Sequence, residues 1–325
     1  MQDGFGRIID YMRVSVTDKC NMRCVYCMPP EGVDWVPHSE VLSFEETLRI
    51  CTAAAGLGIS KIKVTGGEPL VRRGLTTFIR SLKRTPGIVS VTLTTNALVL
   101  GDFLDELVDT GIDGVNISLD TLNADVFRYI TRSDGFERVL RSLGLAREAR
   151  LDIKINCVPM RGVNEGDVVP LAELARHEKT AVRFIELMPL GLAANLAPVP
   201  QSEIFERLRQ AFGALRVFDG RLGNGPASYY SVPGFAGKIG FISAISHSFC
   251  AACNRLRLTG VGLLKPCLAS DAGVDLKAIV RGGKDDEAIA QAISSAVMLK
   301  PIRHDFYQGN GNNQHKKKNM FRIGG

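Results

Sequence analysis

The chain has 325 residues, 45% hydrophobic and 23% charged, with a formal net charge of +6, enough for one large α/β domain or a barrel with an appendage. No apolar run approaches the roughly 18 residues of a membrane span, and the start M-Q-D-G-F-G-R has an early acid and no apolar signal core, so a cytoplasmic protein is expected. There, eight cysteines read as metal-binding or core residues rather than disulfides, and scattered basic residues suit a small anionic substrate better than nucleic acid or a membrane.

The first predicted strand, 12–17, runs into Cys20, Cys24 and Cys27, spaced C-x3-C-x2-C. Thiolates this close hold a metal or an iron–sulfur cluster. A 4Fe–4S cluster normally takes four cysteines; three leave one iron open to an outside ligand, which suits chemistry more than electron storage. C-x2-C is also a zinc spacing, but C-x3-C-x2-C is rare in zinc sites.

Amphipathic helices and strands then alternate. Helices are expected at 43–57, 74–84, 102–110, 136–149 and 166–177, with Ser43 as N-cap of the first and Glu46 completing a capping box. Strands are expected at 61–66, 90–96, 114–120, 152–158 and 181–188. A Pro/Ala linker at 191–200 leads to a last helix at 201–212. Six β-then-α units with short connections predict a parallel sheet with right-handed crossovers. Six fall short of the eight of a closed barrel, so the fold expected is α/β, an open, partial (β/α)6 TIM-like barrel. Such folds gather function at the C-terminal strand ends. Thr17 before the cysteines, G-G-E-P, T-T-N, S-L-D and E-L-M-P all fall there.

Beyond Phe212 the chain turns Gly-rich, with turn signals at 223–226 and 233–237. That divides it into a barrel, 1–217, and a C-terminal extension, 218–325. The extension repeats the three-thiolate theme in Cys250, Cys253 and Cys267. These read as half a zinc ribbon completed by a residue such as His247, or as a second cluster with an open iron, the choice the first motif favours. Cys51 and Cys157 read as core packing. In the strand-like stretch Asn254-Arg255-Leu256-Arg257, alternation puts both arginines on one face, beside the second cysteine group. Their guanidiniums suit phosphate or a purine edge; the plain alternative has them facing solvent. The basic run 315–318 in the tail reads as a solvated loop. No G-x-x-x-x-G-K-[ST] loop occurs, so any bound phosphates must be held by side chains.

Tyr26 between the second and third cysteines completes the radical S-adenosylmethionine (SAM) signature. The motifs R-V-S-V-T-D-K-C-N-M-R-C-V-Y-C-M-P, T-G-G-E-P-L, T-T-N, S-L-D, R-F-I-E-L-M, C-A-A-C-N-R-L-R-L, K-P-C-L and M-F-R-I-G-G together resemble one radical SAM family, molybdenum cofactor biosynthesis protein A, the GTP 3′,8-cyclases. The resemblance spans nearly the whole chain. It implies a radical SAM partial barrel with a cluster-binding extension. Cys20, Cys24 and Cys27 would hold one 4Fe–4S cluster, with SAM on its open iron and in contact with Tyr26, Gly67, Ser118 and Met188. Cys250, Cys253 and Cys267 would hold a second, whose open iron meets guanine. Arg13, Lys63, Thr94, Lys154, Arg255 and Arg257 would line the GTP site. Arg255 and Arg257, with Gly324 and Gly325 of the tail, would serve catalysis.

The reaction implied is a lyase step that turns GTP into (8S)-3′,8-cyclo-7,8-dihydroguanosine 5′-triphosphate. A 5′-deoxyadenosyl radical takes the C3′ hydrogen, in the first step of molybdenum cofactor biosynthesis. A low-potential electron donor, a downstream cyclic pyranopterin monophosphate synthase and a monomeric or homodimeric state are implied with it. Two positions depart from the family: Lys63 stands where arginine is common, and Ala97 follows T-T-N where glycine is usual. The competing readings are another radical SAM enzyme with an auxiliary cluster, such as a peptide maturase, and a zinc-dependent binding module. A two-carboxylate hydrolase using Glu68 and Asp120 is a third.

Overall fold

The computed structural model describes residues 1–304, 306 and 320–322. Its first part alternates strand and helix: β1 Tyr11–Ser15, α1 Phe44–Gly56, β2 Lys61–Thr65, α2 Leu75–Arg84, β3 Ser90–Thr95, α3 Leu104–Asp109, β4 Gly114–Ser118, α4 Ala124–Thr131, α5 Phe136–Glu148, β5 Ile153–Cys157, α6 Val168–Glu173, β6 Ala181–Ile185 and α7 Gln201–Phe212. The strands end before the expected bounds because Thr17, Gly66, Asn96, Asp120 and Met188 have left the ladder for the loops that build the site. Ser43 and Glu46 form the expected capping box on α1. The sequence reading did not foresee α4. It starts at Asn123, whose side chain accepts from the amides of Asp125 (2.9 Å) and Val126 (3.1 Å), as an N-cap does.

The rest of the chain supplies β7 Arg216–Phe218, β8 Ser228–Ser231, β9 Lys238–Ile242, β10 Arg255–Leu258, β11 Leu263–Lys265, β12 Val274–Asp275, α8 Leu276–Arg281 and α9 Asp286–Met298. Strands β1 to β6 lie side by side in chain order, all parallel. The later strands join both edges, β9 parallel to β6 and β10 parallel to β1. The antiparallel neighbours β8, β7 and β11, β12 then finish the sheet. The parallel wall therefore has eight strands, β10-β1-β2-β3-β4-β5-β6-β9, within a 12-stranded sheet whose ends, β12 and β7, lie at opposite edges.

Each parallel strand alternates, as a pleat with one face on a core must. Met12 and Val14, Ile62 and Val64, Val91 and Leu93, Val115 and Ile117, Ile153 and Ile155, Val182 and Phe184, and Leu256 and Leu258 are buried in one continuous core with the surrounding helices. Between them the strands carry Arg13, Lys63, Thr92, Thr94, Asn116, Lys154, Asn156, Arg183, Arg255 and Arg257 toward the other face. Leu276, Ile289, Ile293 and Val297 of the extension join the same core, so the segments on either side of residue 217 share one sheet and one apolar interior. Cys51 and Cys157 are buried in it. Among the described residues, no helix is long and apolar enough to cross a membrane.

Candidate active site

The first cysteine loop is held down by G-G-E-P. The Gly67 amide donates to the Thr17 carbonyl (2.7 Å) and the Glu68 amide to that of Lys19 (2.8 Å). A Cβ on Gly67 would lie 2.3 Å from the Lys19 carbonyl oxygen and 2.5 Å from that of Asp18, so only a bare backbone fits there. Gly67→Ala is accordingly expected to displace the loop carrying Cys20 and to lower iron retained after reconstitution, at a stability cost of a few kcal/mol; wild-type iron content would refute the close-approach role. Glu68, 1% exposed, accepts from the amides of Leu70 (3.0 Å) and Asn96 (2.7 Å) and from the Thr95 hydroxyl (2.8 Å), tying the ends of β2 and β3 together. Burial pushes its carboxyl up to about 7. Ala97 has φ 63° and is fully buried. The turn after T-T-N does require the left-handed region that glycine fills most easily, and alanine bears roughly 1–2 kcal/mol of strain there.

Burial also pushes the first three thiols up: Cys20 to about 11, Cys27 to about 12 and Cys24 well above its ordinary value, with Cys27 and Asp120 adding to the effect on Cys24. Three neighbouring half-buried thiolates demand a cationic core to be stable, and the donor set fits a 4Fe–4S cluster on that ground. Tyr26 donates its hydroxyl to Asp120 (2.7 Å), whose second oxygen takes the Val158 amide (2.8 Å); burial raises Asp120 to about 6. Both carboxylates proposed for hydrolysis, Glu68 and Asp120, thus spend their oxygens on protein donors, and that reading falls.

Cys250, Cys253 and Cys267 line the same cavity as Cys20, Cys24 and Cys27, a space of about 300 Å³ at the C-terminal ends of the strands. His247, the suggested fourth zinc ligand, is exposed, lies near the Ser246 hydroxyl (3.1 Å) and is not among the lining residues. Among the described residues, no group of three or more His, Cys, Asp or Glu side chains could hold a single metal ion. His247 is thus not placed to complete a zinc tetrahedron with these cysteines. Burial resists ionisation of Cys253, but Arg255 and Lys300 overcome it and bring this thiol down to about 7. In the metal-free protein, alkylation of Cys253 should therefore rise through pH 7, while Cys20 and Cys27 stay slow below pH 11. Peptide mapping after iodoacetamide reads this directly, and equal rates at the three positions would contradict it.

The cavity also has a cationic wall. Arg13 stands opposite Arg257 on β10 and Lys63 on β2. Arg13, Arg255, Arg257 and Thr94 line the cavity. The solvent-facing alternative for the two β10 arginines is excluded, because Leu256 and Leu258 occupy the core and the arginines the opposite face. Lys63 and Lys154 are brought close but do not line the cavity. They sit buried two residues before the lining residues Thr65 and Asn156, Lys154 paired with Asp152. Arg183 completes this set, donating to Asn156 (2.8 Å); its place two residues before the strand-end Ile185 was legible in the sequence but passed over. Burial, then repulsion from neighbouring cations, lowers Lys63 and Arg257 well below their ordinary values. A bound polyanion would relieve both.

Tyr26, Gly67, Ser118 and Met188 all line the cavity, Met188 packing in the same small apolar cluster as Cys267. At its mouth Phe321 is buried, packs edge-on against Trp35 (6.5 Å between centroids) and gives its amide to Cys27. Arg322 donates to the Asp34 carbonyl (3.2 Å). Gly324, Gly325 and the basic run 315–318 lie outside the described residues.

Comparison with known proteins places this architecture. The Radical SAM superfamily matches residues 14–175 and Molybdenum Cofactor Synthesis C matches residues 180–306. In solved structures, the Streptococcus suis SuiB structure bound to S-adenosylmethionine superposes with a TM-score of 0.60 at 14% identity, over 89% of this chain and 68% of that one; it shares the fold. Curated GTP 3′,8-cyclases match end to end. That of Desulforamulus reducens is 44% identical over 329 residues and that of Petrotoga mobilis 42% over 330, each covering 100% of both chains. That of Heliobacterium modesticaldum is 46% identical over 308 residues, 94% of both. On these full-length matches, the chain belongs to the GTP 3′,8-cyclase family of radical SAM enzymes.

Proposed function

We propose that this chain converts GTP to (8S)-3′,8-cyclo-7,8-dihydroguanosine 5′-triphosphate, the first step of molybdenum cofactor biosynthesis, with SAM and two 4Fe–4S clusters. The observation that supports the reading is that two three-cysteine sets and the arginines Arg13, Arg255 and Arg257 line one cavity. Cys20, Cys24 and Cys27 would hold the first cluster, and Cys250, Cys253 and Cys267 the second. With SAM bound, the first cluster would supply the one-electron reduction that starts radical chemistry, with C3′ of GTP as the site of hydrogen abstraction. A bond from C3′ to C8 then forms, and one electron and one proton complete the 7,8-dihydro ring.

The residues bind and orient. Tyr26, fixed by Asp120, and Gly67, Ser118 and Met188 grip SAM against the first trio. Arg255 and Arg257 on one strand face, with Arg13 beside them, clamp GTP so that ribose and base lie between the trios. Their forks suit phosphate and purine oxygens. Lys63, Lys154 and Arg183 add charge behind that clamp, and Thr94 supplies a hydroxyl. Holding C3′ and C8 within bonding reach is worth several kcal/mol of barrier through orientation alone. Gly324 and Gly325 are assigned to catalysis on the family resemblance alone; upstream of them Phe321 gives its amide to Cys27. A low-potential donor supplies the electrons, and a cyclic pyranopterin monophosphate synthase takes the product.

The test is anaerobic reconstitution with iron and sulfide, followed by dithionite, SAM and one nucleotide. GTP should give 5′-deoxyadenosine and an isomer of GTP in equal amounts, and ATP should give neither product. Equal turnover with both nucleotides would overturn the assignment.

A further inference from the structure

Lys300 is 3% exposed and follows α9 into the wall of the cavity beside the second trio. Its ammonium donates to the carbonyls of Arg255 (2.7 Å) and Pro266 (2.8 Å) and to the sulfur of Cys253, and it lies in the field of Cys267. Arg255 lies two residues after Cys253, and Pro266 immediately precedes Cys267. One side chain thus joins the two segments that carry these cysteines. All three partners are acceptors, so three donors are needed, and only the protonated amine has them. A buried positive charge against the sulfurs favours whichever state of a cluster carries more negative charge, the reduced one.

Arg7 braces the same loop in a different manner. It donates to the carbonyls of Cys250 (2.9 Å), Ile302 (3.2 Å) and Pro301 (2.7 Å), while Asp3 (2.6 Å) offsets its charge. Arg7 therefore supplies bracing with little net field, and Lys300 supplies both.

We propose that Lys300 is a positioning residue that raises the reduction potential of the second cluster, through its charge and its hydrogen bond at the cysteine sulfurs. The inference rests on the proposed second cluster at Cys250, Cys253 and Cys267. The test is redox titration of the reconstituted full chain followed by electron paramagnetic resonance, with the first cluster identified by the change in its signal on adding SAM. Lys300→Gln, which keeps two donors and loses the charge, should lower the ratio of reduced to oxidised second cluster at least tenfold at a fixed potential, about 59 mV for a one-electron couple. The first cluster should not move. Lys300→Arg should restore the wild-type value, and Arg7→Gln should lower iron retention without shifting the potential. An unshifted second cluster in Lys300→Gln, or its loss from both Lys300 variants, would overturn the proposal by leaving bracing as the whole role. Wild-type protein with no second cluster would instead refute the cluster assignment itself.

Discussion

Replacing Cys24 by alanine is expected to abolish cyclisation and to reduce iron from about eight to about four atoms per reconstituted chain. Cys24 sits between Cys20 and Cys27 in a loop pinned by Gly67 and capped at the mouth by Phe321. Two remaining thiolates cannot hold a cube with a single open corner, so SAM has no iron to bind and no 5′-deoxyadenosine should form. Cys267→Ala is the mirror case. It should also lose half the iron, yet keep the first cluster and any residual SAM cleavage that does not need GTP. If both variants lose SAM cleavage to the same degree, the two trios do not have separate roles.

Arg257→Ala is expected to slow cyclisation roughly 30- to 700-fold. Losing one buried, charge-assisted contact to an anion costs roughly 2–4 kcal/mol, and each 1.4 kcal/mol is about tenfold. Lysine at this position should recover part of the loss, since it restores the charge without the fork. The effect on stability should be small or opposite in sign. Arg257 stands opposite Arg13 in a buried wall, where burial and then repulsion from Arg13 and Arg255 lower its proton affinity, so removing this charge relieves repulsion while leaving a small void. Without nucleotide, the Tm of Arg257→Ala should therefore match or exceed that of wild type. A clear fall in Tm with unchanged kcat/KM would make Arg257 a structural residue and not a GTP contact.

Local features of the sequence told most of this. The Cys20–Cys27 spacing, the capping box at Ser43 and Glu46, and the strand-end motifs each depend on a few neighbouring residues, and each lies where the local pattern put it. What the sequence withheld was long-range. That β10 returns to lie parallel beside β1, placing Arg257 opposite Arg13, is a pairing between chain ends that no local period reveals. The same return widens the wall beyond six strands. Lys300 has no motif and gains its place only because the end of α9 comes to lie against the second cysteine loop. Lys63 shows the limit of position-by-position transfer: its strand lies where it was expected, yet its side chain is buried next to the cavity rather than in its lining.

The most direct measurement uses GTP deuterated at C3′ with the reconstituted enzyme, SAM and dithionite, and follows the label by mass spectrometry. The expected result is one deuterium in each 5′-deoxyadenosine formed and none in the cyclised nucleotide. Unlabelled 5′-deoxyadenosine, or cyclised product that retains the deuterium, would contradict a pair of centres on one cavity that present the ribose of GTP to SAM.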